Sequence, residues 1–147
     1  VLFGQSAGGY LAAAVGLSTA IDPVQGVVCW YPLTDFSTIP DDHFAAGFPS
    51  AWLGVDTLSA APELVAASRL PPRAHAAAPP FLLQHGTADT WAPYEQSVAL
   101  RDALAAAGAS VELETIDGAD HFFGGADDAT VLSLFDRAMS FARTCTA

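Results

Sequence analysis

The sequence predicts an α/β fold built on a parallel sheet, and three observations point there. Val24 to Tyr31 (VQGVVCWY) and Phe81 to Gly86 (FLLQHG) are runs apolar on both faces, as in strands covered from two sides. Helical periodicities separate and follow these runs, at Tyr10 to Leu17, Pro93 to Ala107 and after Asp127. The resulting order, β-α-β-(insertion)-β-α-β-α, has no internal repeat and no linker, which fits one unit over residues 1–147 with right-handed crossovers.

Taken in order, Val1-Leu2-Phe3 is a short buried strand, followed by a turn in which Gly4, Ser6 and Gly8 stand two apart, and then an Ala-rich helix. Asp22-Pro23 breaks that helix pattern, and Pro32 ends the second strand. Between the second and third strands lies a long insertion with sparse regular signals. It holds turn chemistry from Thr34 to Asp42, scattered apolar residues Phe44, Phe48 and Trp52, and a short helix over Pro62 to Ala67 with proline at its first position. Such an insertion is a functional lid or a cover packed over the sheet edge.

Pro79-Pro80 introduces the third strand. The helix over Pro93 to Ala107 places Ser97, Leu100 and Leu104 on one face, with Gly108 as its stop. Ser110 to Ile116 alternates Val111, Leu113 and Thr115 against Glu112 and Glu114, the pattern of a half-exposed strand near a sheet edge. Asp127-Asp128 opens a last amphipathic helix whose apolar face is Val131, Leu134, Phe135, Ala138, Phe141 and Ala142.

Composition narrows the function classes. With 52% hydrophobic and 14% charged residues the chain is globular. Lysine is absent, and five arginines face 16 acidic residues for a formal charge of -11, which disfavours nucleic acid and anionic membranes as partners. No apolar run approaches the ~20 residues that span a bilayer. Cys29 and Cys145 read as free thiols, so the sequence leaves the compartment open, as it does the oligomeric state. No His-x-x-x-His or Cys-x-x-Cys spacing points to a metal, and nothing calls for a cofactor. There is no initiator Met and the first residue already sits in a strand, so the chain reads as a fragment.

In an open parallel sheet, active sites gather at the carboxyl ends of the strands. Ser6 follows the first strand, Asp89 the third and His121 the fourth. A serine on a sharp strand-to-helix turn needs small residues two before and two after it, here Gly4 and Gly8, and the amide of Ala7 at the helix N-terminus then points where an oxyanion forms. A serine hydroxyl needs an imidazole to take its proton, and the imidazole needs a carboxylate to fix its tautomer. This makes Ser6 the nucleophile, His121 the base and acid, and Asp89 the orienter. Asp117 and Asp120 compete for the last role, but a carboxylate so close in an extended loop turns back onto the ring with difficulty. His85 is assigned to hydrogen bonding in the turn after it, and His43 and His75 to the surface.

Gly4-Gln5-Ser6-Ala7-Gly8-Gly9, His85-Gly86-Thr87-Ala88-Asp89 and Gly118-Ala119-Asp120-His121-Phe122, with Ala61-Pro62-Glu63-Leu64 and Ala67-Ser68, resemble the α/β-hydrolase superfamily. The nearest branch by these motifs is the acetyl-esterase and feruloyl-esterase-like lipases beside the hormone-sensitive-lipase group. By that resemblance the chain is the C-terminal part of one catalytic domain, from the elbow strand through the three that follow. It also implies that the first strands and a His-Gly-Gly loop with further oxyanion amides precede Val1, so the isolated chain is expected to be weak or inactive, since one lost donor costs roughly 10²–10³ in turnover. Ala92 stands where these relatives carry valine, a packing difference.

The expected activity is hydrolysis of small carboxylic esters with short acyl groups, with Phe44, Phe48, Trp52 and Trp91 as candidates to line a modest apolar pocket. A prolyl-oligopeptidase-type peptidase and an arylformamidase share the same site residues and stay open, as does a non-catalytic binding protein on the same fold.

Overall fold

The computed structural model describes residues 1–43 and 46–147. Four strands, β1 (Leu2–Gln5), β2 (Val27–Trp30), β3 (Phe81–Gly86) and β4 (Val111–Ile116), form one sheet in the order β1-β2-β3-β4. Every neighbouring pair is parallel, with Gly4 opposite Cys29, Cys29 opposite Leu83 and Leu83 opposite Leu113. Sequential order and parallel pairing together require each connection to cross over the sheet.

The helices are α1 (Ala7–Gly16), α2 (Gly47–Leu53), α3 (Pro62–Ser68), α4 (Glu95–Ala106) and α5 (Asp128–Thr146). Period-2 alternation sorts the central strands between two layers. Val27, Cys29, Phe81 and Leu83 pack with Ala12, Ala13 and Leu17 of the first helical segment and Leu100 and Leu104 of α4. Val28 and Leu82 face Ala138 and Phe141 of α5. Full burial of a side chain such as Phe81 or Leu100 contributes about 1.5–3 kcal/mol. The approach of α1 to the sheet needs Gly16, where a Cβ would lie 2.5 Å from Val27 Cγ2.

Besides Val1 and Phe3, expected in a buried strand but 41% and 50% exposed on the outer edge, sequence and structure part company at three places. The insertion has more order than its composition implies: besides α3, it contains α2 and short 3-10 turns at Phe36–Thr38, Leu58–Ala60 and Pro71–Arg73. Leu33, Phe36, Ile39, Leu58 and Val65 form their own small core with Ala92, so this segment has a packed interior. It is tied to α4 by Gln96, which is buried. The Gln96 amide accepts from the backbone N–H groups of Thr34 and Asp35, both at 2.7 Å, and donates to the Asp35 carbonyl at 2.9 Å.

The second departure is in α5. Asp127 caps its start by accepting from the Thr130 amide at 2.7 Å, and Leu134, Ala138 and Phe141 turn inward. Phe135, expected on the same face, is 48% exposed. One residue beyond Leu134 is rotated ~100° around the helix, and that direction carries Phe135 past β1, the sheet's edge. There it lines an apolar groove with Val1, Phe3 and Met139. Among the described residues no strand pairs with the outer side of β1. Finally, β2 is shorter than its apolar run, because Val24, Gln25 and Gly26 stay outside the ladder.

Candidate active site

Ser6 sits between β1 and α1 with φ 51° and ψ −120°, a conformation that costs a residue with a Cβ about 1–3 kcal/mol. The turn is held on both sides: the Ser6 amide donates to the Trp30 carbonyl at 2.9 Å, and the Ser6 carbonyl accepts from Tyr10 at 3.1 Å. Gly4 lets the elbow close, since a Cβ there would lie 2.1 Å from the Gly8 carbonyl oxygen. Gly8 is a correction to the sequence expectation, because a Cβ on it would meet nothing within 4 Å. The second tight position is Gly9, whose Cβ would come within 3.0 Å of Pro32 Cβ. Gly8 contributes by passing its backbone under Gly4, a close approach that motif spacing alone does not assign. Ala7 begins α1, so its amide has no acceptor within the helix and is available at the mouth of the elbow.

The loop after β3 and the loop after β4 are fastened to each other. Gly86 makes this possible, as a Cβ there would lie 2.2 Å from the Ala119 carbonyl oxygen. The Thr87 amide donates to the Ile116 carbonyl at 3.0 Å and the Ala88 amide to the Ala119 carbonyl at 3.0 Å. Asp120 accepts from the Thr90 amide and hydroxyl at 2.8 and 2.9 Å and from the His121 amide at 2.7 Å. Asp117 accepts from the Thr87 hydroxyl at 3.2 Å. Both competing carboxylates are therefore spent on fixing the loops.

What these loops bring together is Ser6, His121 and Asp89. His121 Nε2 lies 3.0 Å from Ser6 Oγ, and its Nδ1 lies 2.7 Å from Asp89 Oδ2. An ionised carboxylate only accepts, so Nδ1 carries the proton and Nε2 offers a lone pair to the serine hydroxyl. The other oxygen, Asp89 Oδ1, accepts from the amides of Trp91 and Ala92 at 2.9 and 2.8 Å. Burial on its own pushes the Asp89 carboxyl up, but hydrogen bonds from His121, from His85 and from the Ala92 amide outweigh it and hold the group well below the ordinary 3.8.

That depression has a consequence for stability. As pH falls, the unfolded chain protonates Asp89 first, near its ordinary value, so the stabilisation present above that pH is lost progressively below it. Urea midpoints measured for the unmodified chain and Asp89→Asn are expected to differ most near neutrality and to converge below about pH 4.

Aromatic rings surround the imidazole. Tyr31 meets His121 edge-on at 4.7 Å between centroids, and Trp91 lies nearly parallel to it at 6.1 Å. The Tyr31 hydroxyl donates to Gln5 Oε1 at 2.6 Å, and burial, with the negative charge of Asp89, pushes that phenol up to about 12. Of the residues expected to line a pocket, Phe48 touches Trp91 at 5.4 Å and so lies at the rim of the site. Trp52 instead packs on Tyr10, at 5.1 Å, and on Phe36. Phe44 lies outside the described residues.

Sequence reasoning missed Tyr31 and Phe122 as neighbours of the imidazole. Tyr31 carried one signal, its place directly after a strand; Phe122 carried only its place next to His121, and its ring meets the imidazole at 4.5 Å while the side chain stays exposed.

The sheet, the elbow on β1 and the carboxyl-end loops are those of an α/β-hydrolase. A model of the prolyl oligopeptidase family matches residues 1–147, and the chain belongs to that family. Among solved structures it is similar to a truncated carbohydrate esterase from gut microbiota, with 24% identity and a TM-score of 0.77 over 99% of this chain and 59% of that one. It is also similar to an acetyl ester-xyloside bifunctional hydrolase from Caldicellulosiruptor lactoaceticus, with 26% identity and a TM-score of 0.67 over 81% and 46%. A 45-residue stretch is 51% identical to the non-reducing polyketide synthase Preu3 of Preussia isomera, covering 31% of this chain and 2% of that protein. The chain thus spans about half the length of these structural relatives.

Proposed function

We propose that the protein containing this chain is a serine hydrolase that cleaves small carboxylic esters with short acyl groups. The observation that carries the reading is the pair of contacts on one imidazole, Ser6 Oγ at 3.0 Å on one side and Asp89 Oδ2 at 2.7 Å on the other. In the reaction, Ser6 Oγ attacks the ester carbonyl carbon as its proton passes to His121 Nε2. Asp89 stabilises the imidazolium and keeps the ring in register. The departing alcohol takes the proton from Nε2, and water, deprotonated by the same nitrogen, then releases the acid and restores Ser6. The Ala7 amide supplies an oxyanion donor.

The ester reading is supported by the acetyl ester hydrolase at 26% identity, with Phe48 and Trp91 as aromatic residues beside the site that an acyl group could meet. Cleavage of peptides is the second reading, favoured by the family match over the whole chain. An assay on the longest natural chain containing these residues decides between them. Turnover of p-nitrophenyl acetate well above that of a prolyl p-nitroanilide is expected, and both are lost in His121→Ala. Hydrolysis of the anilide alone would replace the ester reading with the peptidase.

A further inference from the structure

The Asp89 carboxylate serves two imidazoles, and the proposed reaction uses one of them. His85, at the end of β3, is fully buried. Its Nδ1 lies 2.7 Å from Ser97 Oγ on α4, and its Nε2 lies 2.8 Å from the Ala92 carbonyl oxygen and 3.2 Å from Asp89 Oδ2. The carbonyl and the carboxylate both only accept, so Nε2 must carry a proton, bonded to the Ala92 carbonyl with the carboxylate as a longer second contact, while Nδ1 accepts from the Ser97 hydroxyl. Asp89 Oδ2 is therefore faced by two rings, bonded to His121 at 2.7 Å and approached by the His85 Nε2–H edge at 3.2 Å, while Oδ1 is held by the two amides. If His85 only filled space at the strand end, Ser97 and Ala92 would satisfy it; the contact with Asp89 Oδ2 is additional.

We propose that His85 is a positioning residue acting through Asp89: its Nε2–H takes a share of the carboxylate's charge and so sets how strongly Oδ2 draws on the Nδ1 proton of His121. The inference rests on the hydrolase reading for its consequence in catalysis, though not for its geometry. His85 has no path to substrate, being sealed by Ser97, Ala92 and the edge of the Tyr94 ring at 5.7 Å. The other ionisable groups around the two rings are engaged elsewhere: Asp120 with Thr90, Tyr94 with Thr115 and Tyr31 with Gln5. Losing a donor makes Oδ2 a stronger acceptor for the one ring that remains.

The test is ¹⁵N-histidine NMR on the full-length protein. In the unmodified protein His85 is expected as the Nε2–H tautomer; finding the proton on Nδ1 overturns the proposal without any variant. In His85→Leu the downfield proton resonance of His121 Nδ1–H moves further downfield. In His85→Gln, whose amide nitrogen takes the place of Nε2, it stays at the unmodified position. An unmoved resonance in folded His85→Leu, or equal displacement in both variants, overturns it as well. Should His85→Leu not fold, His85→Met, nearer the imidazole in length and without a donor, takes its place, and the same downfield displacement decides. Failure of the hydrolase reading would appear separately, as unmodified protein that shows these resonances yet does not react at Ser6.

Discussion

Asp89→Asn is expected to slow acylation of Ser6 by about 10⁴-fold while leaving the fold in place. The size of the effect follows from counting donors around one side chain. Asp89 accepts from the His121 ring on Oδ2, which the His85 Nε2–H edge also approaches, and from the Trp91 and Ala92 amides on Oδ1, and no donor of its own is needed. Asparagine has one acceptor oxygen, so its NH₂ must face either the rings or the amides. Facing the rings, it forces His121 into the tautomer with the proton on Nε2, and the nitrogen beside Ser6 can no longer take a proton. Facing the amides, donor meets donor and the side chain is expelled from its loop. Either arrangement removes the base. Stopped-flow reaction with a fluorophosphonate, read against a thermal melt, separates the lost rate from lost structure. A variant with the unmodified rate would mean that Asp89 does not orient His121.

Gly4→Ala should be the most damaging substitution for the fold, at about 3 kcal/mol or more. Its Cβ would sit 2.1 Å from the Gly8 carbonyl oxygen and 2.8 Å from the Gly9 nitrogen, backbone atoms that move only if β1 and α1 separate. Separating them also breaks the approach of α1 to Val27 and the bond from the Ser6 amide to Trp30. Gly8→Ala, two residues after the serine, has open space for its Cβ and lies in the first turn of α1. It is expected to be neutral or to stabilise by about 0.5–1 kcal/mol through helix propensity. Thermal denaturation of the two variants tests this contrast; equal losses would show that the elbow requires small residues symmetrically about Ser6.

That contrast also shows where the sequence was legible. The strands β2 and β3 could be read because both of their faces are covered, so Val27, Val28, Phe81, Leu82 and Leu83 are apolar without interruption. The three chain positions that meet at the site could be read because each follows a strand. The asymmetry between Gly8 and Gly9 could not, since it depends on where Pro32 returns after β2. Helix α2 was hidden by its low charge and by Pro49, although Phe48 and Trp52 stand one turn apart. Gln96, which no pattern in the sequence singles out, is a buried clamp on Thr34 and Asp35, a role created by the insertion folding back. His85 is expected to hydrogen-bond the turn after its strand and does so through the Ala92 carbonyl; its approach to the Asp89 carboxylate depends on how that loop folds. Phe135 followed helical periodicity faithfully, yet the sheet ends before reaching it.

Everything proposed about catalysis depends on Ser6 being a nucleophile activated by His121. The direct measurement is intact-mass and peptide-map analysis of the full-length protein after treatment with a fluorophosphonate. A single adduct is expected on the peptide containing Ser6, absent in Ser6→Ala and formed far more slowly in Asp89→Asn. Folded protein that forms no adduct, or an adduct that survives Ser6→Ala, would contradict it.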